Sequence, residues 1–159
     1  MSGIDTSPLQ AIAQHVGEDE VPWVENPSHP GAFFRLLQAD VARGLYVMAG
    51  RLRGELEVGT HRHTGAVHMF TLSGAWKYHE HAFVNRAGSY LYEPAGSVHT
   101  FYVPPGDTVT ETLTIVHGTT EYLGPDGELL HTSDAASSLR TYYEGCERAG
   151  VPRPSGILR

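Results

Sequence analysis

The chain has 159 residues, 40% of them hydrophobic and 18% charged, with a formal net charge of −7. That length suits one domain with a sizeable core, and the acid excess with scattered basic residues excludes nucleic acid and an anionic membrane surface as partners. The start carries no signal-peptide pattern, no apolar run reaches the length of a membrane span, and the lone Cys146 cannot form an internal disulfide, so a reducing cytoplasm is the expected location.

In chain order, Asp5-Thr6-Ser7-Pro8 reads as a helix start, with Ser7 as cap and Pro8 at the first helical position. Leu9, Ile12, Ala13 and Val16 follow at helical spacing, which predicts a helix over about 7–16 on a flank of the fold. From Val21 the pattern changes to short apolar or alternating runs punctuated by Gly and Pro, continuing to about residue 131, as in an all-β sandwich or barrel. A last helix is expected over about 134–149, with Ser133 as cap and Gly150 at its end. No internal repeat or linker argues for a second domain.

Six of the ten histidines lie between positions 61 and 99. His61 and His63, one residue apart on an extended segment, point to the same side because side chains alternate along a strand. The turn Pro94-Ala95-Gly96 would deliver a third, His99, to the start of a later strand. Three imidazoles converging in this way make a metal site, and imidazole ligation suits Fe, Zn, Cu or Ni without choosing among them.

The spacing resembles the two motifs of the cupin superfamily. The first, H-x-H-x3-E-x6-G, is matched by His61, His63 and Gly74, with Val67 standing at the glutamate position. The second, G-x5-P-x-G-x2-H-x3-N, is matched by Gly88, Pro94, Gly96 and His99, with Val103 replacing the asparagine. The resemblance covers roughly residues 45–117 and implies a double-stranded β-helix, or jelly roll, holding a metal on His61, His63 and His99.

Three neutral imidazoles leave a divalent cation its full charge, and with valine at position 67 an anionic ligand is expected to balance it. Trp76, Tyr78 and Glu80 share a face, which makes Glu80 the carboxylate expected as catalytic group or fourth ligand; Glu93, beside Pro94, reads as a turn residue. His68 falls on the face opposite Val67 and has a smaller claim on the site, while His79 and His81 share a face with Lys77. Tyr78, Tyr90, Tyr92 and Phe101 are expected to supply the aromatic wall of a substrate pocket.

The missing glutamate, the run His61-Arg62-His63-Thr64-Gly65, the segment Trp76 to Glu80 and the stretch Gly88 to Thr100 look like the small three-histidine cupin dioxygenases of the 2,4'-dihydroxyacetophenone dioxygenase type, with the acetylacetone-cleaving enzymes more distant. That resemblance implies Fe(II), ahead of Zn, Ni or Mn, and an enolisable or anionic small substrate. It also implies insertion of both atoms of dioxygen at a C–C bond next to a carbonyl, and a homodimer or homotetramer is expected. Two other readings stay open at this point: a Zn or Ni cupin isomerase, cyclase or lyase, and a non-catalytic small-molecule or metal-binding cupin.

Overall fold

The computed structural model describes residues 13–159. Twelve strands precede one helix: β1 (Val24–Glu25), β2 (Ala32–Asp40), β3 (Leu45–Leu52), β4 (Leu56–His63), β5 (Val67–Ser73), β6 (Ala75–Tyr78), β7 (Asn85–Arg86), β8 (Tyr90–Glu93), β9 (Val98–Val103), β10 (Thr110–His117), β11 (Thr120–Leu123), β12 (Leu129–Ser133) and α1 (Ala135–Ala149). They form two six-stranded sheets, ordered β1-β2-β3-β10-β5-β8 and β12-β11-β4-β9-β6-β7, with antiparallel pairing between neighbouring strands. This is the jelly roll that the cupin resemblance implied.

Alternation decides which side chains face inward. Along β10, Thr110, Thr112, Thr114 and Val116 are buried, and each residue between them is more exposed. The core falls into two parts. One, containing Phe34, Leu36, Tyr46, Val67 and Val116, extends beneath α1 through Tyr142 and Cys146. The other gathers Leu52, Leu56, Trp76, Tyr78, Phe101 and Val103 around a stack of Trp76 on Phe101 with centroids 4.5 Å apart. The Trp76 indole N–H is kept satisfied there by the Thr71 hydroxyl at 2.9 Å.

At position 74 only glycine fits. It holds φ +70°, and a Cβ would run into Thr110 of β10. This is the motif glycine that ends β5, and it lets β6 start directly after the turn.

The C-terminal helix begins one residue later than expected. Asp134, not Ser133, is the cap: its side chain accepts the Ser137 N–H at 2.8 Å, while the Ser137 hydroxyl accepts the Asp134 N–H at 2.7 Å. Aspartate outcompetes serine here because Ser137 sits three residues on to close the reciprocal box. Gly150 ends the helix in the left-handed conformation, as expected. Tyr142 anchors it, donating its hydroxyl to the Pro22 carbonyl at 2.6 Å, and Gly145 allows close approach to Val24 of β1. The helix expected over 7–16 lies mostly outside the described residues, and Ala13 to Val16 are not helical. No helix among the described residues is long and apolar enough to cross a membrane.

Candidate metal centre and its cavity

His61 and His63 lie on the inward face of β4, and the register places His99 of β9 directly opposite His61. An irregularity in the β4–β9 pairing between Val58 and His61 sets this register. One ring nitrogen from each of the three histidines lies within 4.8 Å of the others, and all three residues are at least nine-tenths buried.

Backbone and side-chain partners orient two of the rings. His61 donates Nδ1–H to the Gly59 carbonyl at 2.8 Å, which leaves Nε2 free. His63 Nδ1 lies 3.1 Å from the Thr120 hydroxyl, itself 3.1 Å from the Tyr46 hydroxyl, so the same tautomer is favoured. His99 is fixed by packing, its ring stacked 4.0 Å from that of Tyr78.

A carboxylate completes the cluster, and it is Glu93. Glu93 is 3% exposed, and its Oε2 lies 3.2 Å from both His63 Nε2 and His99 Nε2. Its Oε1 accepts a hydrogen bond from the Tyr78 hydroxyl. In the β5–β8 register Glu93 is the cross-strand partner of Val67, and directly opposed residues share a face. The carboxylate absent from position 67 has therefore been supplied from the neighbouring strand, which corrects the expectation of a site made of neutral groups only and the reading of Glu93 as a turn residue.

Glu93 Oε2 and His99 Nε2 are both buried and make no hydrogen bond. Orphaned polar atoms of this kind are costly unless something satisfies them. Three converging imidazole nitrogens suit a divalent cation, so the residues present fit a metal on His61, His63 and His99, with the Glu93 carboxylate beside two of them; the donor set does not choose among Fe, Zn, Ni and Mn.

The other expected residues divide. Tyr78 and Phe101 line a cavity of about 180 Å³ that reaches His61, His63 and Glu93. Its walls are mostly apolar, with Met48, Leu52, Val58 and Met69 among them, and Thr112 and Thr114 add hydroxyls. Tyr90 and Tyr92 do not line it: each is 54% exposed on the outer face of β8, because Glu93 faces inward and alternation turns the tyrosines out. His68 is also on the outside, its Nδ1 2.7 Å from the Tyr90 hydroxyl. Glu80 stands beyond the end of β6, where the chain has turned, and its carboxylate accepts from the Thr100 N–H at 2.9 Å and hydroxyl at 2.8 Å. It is exposed and does not line the cavity.

Burial holds His63 neutral, pushing it down to about 4 although the Glu93 charge acts the other way; burial lowers His61 as well. In the metal-free protein these groups bind protons more readily when unfolded, so stability falls as pH drops from 6.5 towards about 4. For His63 alone the loss is about 3 kcal/mol. Urea midpoints of chelator-treated protein across that range measure it, and a flat profile would contradict the buried neutral imidazoles.

Comparison with known proteins places these features in a family. Residues 12–122 match the ChrR cupin-like domain. An RmlC-like cupin protein from Ralstonia eutropha JMP134 is 27% identical, with TM-score 0.82 over 93% of this chain and 96% of its own. A cupin-fold protein of unknown function from the same organism is 31% identical, with TM-score 0.71 over 86% and 91%. An acetylacetone dioxygenase from Acinetobacter johnsonii shares the fold at 12% identity, with TM-score 0.74 over 91% and 99%. No curated protein matches the chain. Because the family match takes in all three histidines, Tyr78 and Glu93, and with them more than half of the sequence, the chain belongs to the ChrR cupin-like domain family.

Proposed function

We propose that the protein is a mononuclear Fe(II) dioxygenase that cleaves a C–C bond next to a carbonyl in a small β-diketone or hydroxyketone. The observation that carries this reading is the buried Glu93 carboxylate, set against two of the three histidines and the Tyr78 hydroxyl at the wall of an apolar cavity. Likeness of fold to an acetylacetone dioxygenase supports it.

Glu93 is placed to take the proton that such a substrate loses from the carbon beside its carbonyl. Accepting that proton neutralises the carboxylate as the substrate becomes an anion, so the net charge of the buried site does not change. Tyr78 holds the unused oxygen of Glu93 and orients the other towards the histidines. The cavity limits size. An engineered cavity of about 150 Å³ holds benzene, so 180 Å³ accepts a compact diketone or single-ring ketone. When bound, Fe(II) would supply the electron transfer to dioxygen that zinc cannot.

Iron-loaded protein given a panel of β-diketones and aryl hydroxyketones is expected to consume one dioxygen per bond cleaved. Product formed at the same rate without oxygen, or with zinc in place of iron, would remove the dioxygenase reading. The Glu93–Tyr78 pair could equally move a proton within an isomerase or lyase, and that result would select such an enzyme.

A further inference from the structure

β4 does not keep strict alternation. Val58 and His61 both line the cavity although they stand three positions apart, because Gly59 and Thr60 together face the single residue Thr100 of β9. Val58 is paired with Phe101 and His61 with His99, so the extra residue is a β-bulge, and it sets the phase of the strand after it. In an unbulged strand Thr60 would share the inward face with Val58, and His61 and His63 would both point out. The Gly59 carbonyl that accepts from His61 Nδ1–H belongs to the same bulge.

A belt of side chains crosses the outer face at this point. Phe101 and His99 face the site, so alternation turns Thr100 outward, yet it is only 9% exposed. Its hydroxyl lies 2.8 Å from the Thr60 hydroxyl on one side and 2.8 Å from Glu80 Oε1 on the other. Glu80 also accepts the Thr100 N–H at 2.9 Å, while the Thr100 carbonyl accepts the His79 N–H at 3.1 Å. β6 ends at Tyr78, and the Glu80 carboxylate stands in for the strand carbonyl that Thr100 would otherwise lack. Burial acts to raise the Glu80 carboxyl, but the Thr100 N–H and hydroxyl hold it below the ordinary carboxylate range, so it is ionised and only accepts. That fixes the direction of the chain: Thr60 donates to Thr100, and Thr100 donates to Glu80.

We propose that Glu80 is a positioning residue of the metal centre, clamping through Thr100 and Thr60 the bulge that turns His61 and His63 inward. It acts neither as ligand nor as catalytic group, since its carboxylate does not line the cavity. A bulge displaced past His61 would leave Thr60 inward and His61 outward. The Thr60–Thr100 hydrogen bond forms only with both hydroxyls on the outer face, so it selects the phase that binds metal. Without it part of the population holds the wrong phase, and metal affinity falls in proportion to the competent fraction that remains. This role rests on the metal centre proposed above and not on the dioxygenase reaction.

Titration of chelator-stripped, full-length protein with Co(II) against a competing chelator reads the clamp directly. Glu80→Ala and Thr100→Val are expected to weaken Co(II) binding about 10–100-fold, the range for groups that orient a ligand. Thr100→Ser restores the hydroxyl, and Glu57→Ala breaks the 2.8 Å bond of a neighbouring β4 carboxylate to His79 without touching the bulge. Both should bind Co(II) as the wild type does. At saturating Co(II) the visible bands of every variant should match those of the wild type, because the bound ion selects the inward phase. Should Glu80→Ala fail to fold, the Thr100→Val and Thr100→Ser pair decides alone. Wild-type affinity in Glu80→Ala or Thr100→Val overturns the proposal, as does equal weakening in Thr100→Ser or Glu57→Ala, which would mark a general loss of stability. Altered bands at saturation in Glu80→Ala overturn it too, by making Glu80 a ligand. A wild type that binds no Co(II) removes the metal centre and this role with it, whereas the expected affinities in a protein without dioxygenase activity uphold the clamp and reject only the reaction.

Discussion

Replacing His99 with alanine is expected to strip the protein of metal while the barrel stays folded. His99 is 2% exposed and directly opposite His61, so its loss removes one of three converging nitrogens from a site that no neighbour can refill. Loss of a group that only orients a ligand costs metal affinity about 10–100-fold, and removing a ligand costs more than that. The fold should survive, because Trp76, Tyr78 and Phe101 pack on one another independently of the imidazole. The stacking of His99 on Tyr78 is lost, a stability cost of about 1–2 kcal/mol. Elemental analysis after dialysis against a weak chelator, with a urea titration on the same sample, reads both outcomes. Stoichiometric metal retained in His99→Ala would remove this histidine from the site.

The three histidines could be found from spacing because a motif fixes a residue's face as well as its position. His61 and His63 flank one outward residue, and Pro94-Ala95-Gly96 leaves His99 little choice of direction. Glu80 was the natural carboxylate by alternation from Trp76 and Tyr78, which do face inward. The pattern breaks because β6 ends at Tyr78 and the chain turns before residue 80. The phase of β8 could not be read from composition. Either Tyr90 and Tyr92 or Leu91 and Glu93 had to face inward, and hydrophobicity alone favours burying two tyrosines over one carboxylate. The choice reverses because Tyr78, His63 and His99, distant in sequence, meet at Glu93 and offset the cost of its burial. Val67 was itself the missed signal: a strand partner opposite the vacant motif position was the place to look for a substitute.

Glu93→Gln is expected to lower turnover about 10²–10⁴-fold, the range typical of a lost general base, and to leave metal content near that of the wild type. Glutamine keeps the shape of the side chain and can still accept from Tyr78, but it cannot take a proton from the substrate. Burial would by itself push the Glu93 carboxyl up; the close approach of His99, then the Tyr78 hydrogen bond and the nearby His63, overcome this and hold it low, so the group enters the reaction ionised. Tyr78→Phe removes only an orienting hydroxyl and should cost about tenfold or less. A cross-strand exchange, Val67→Glu with Glu93→Val, separates charge from position. It returns a carboxylate to the motif position on β5, directly opposite position 93, without the hydrogen bond to Tyr78. Metal affinity should be kept or tightened in the exchanged protein while turnover stays low, because the base no longer has its orienting partner. Full activity in Glu93→Gln would eliminate Glu93 as the base. Loss of metal from that variant, recovered in the exchange, would instead make the carboxylate a ligand of the ion.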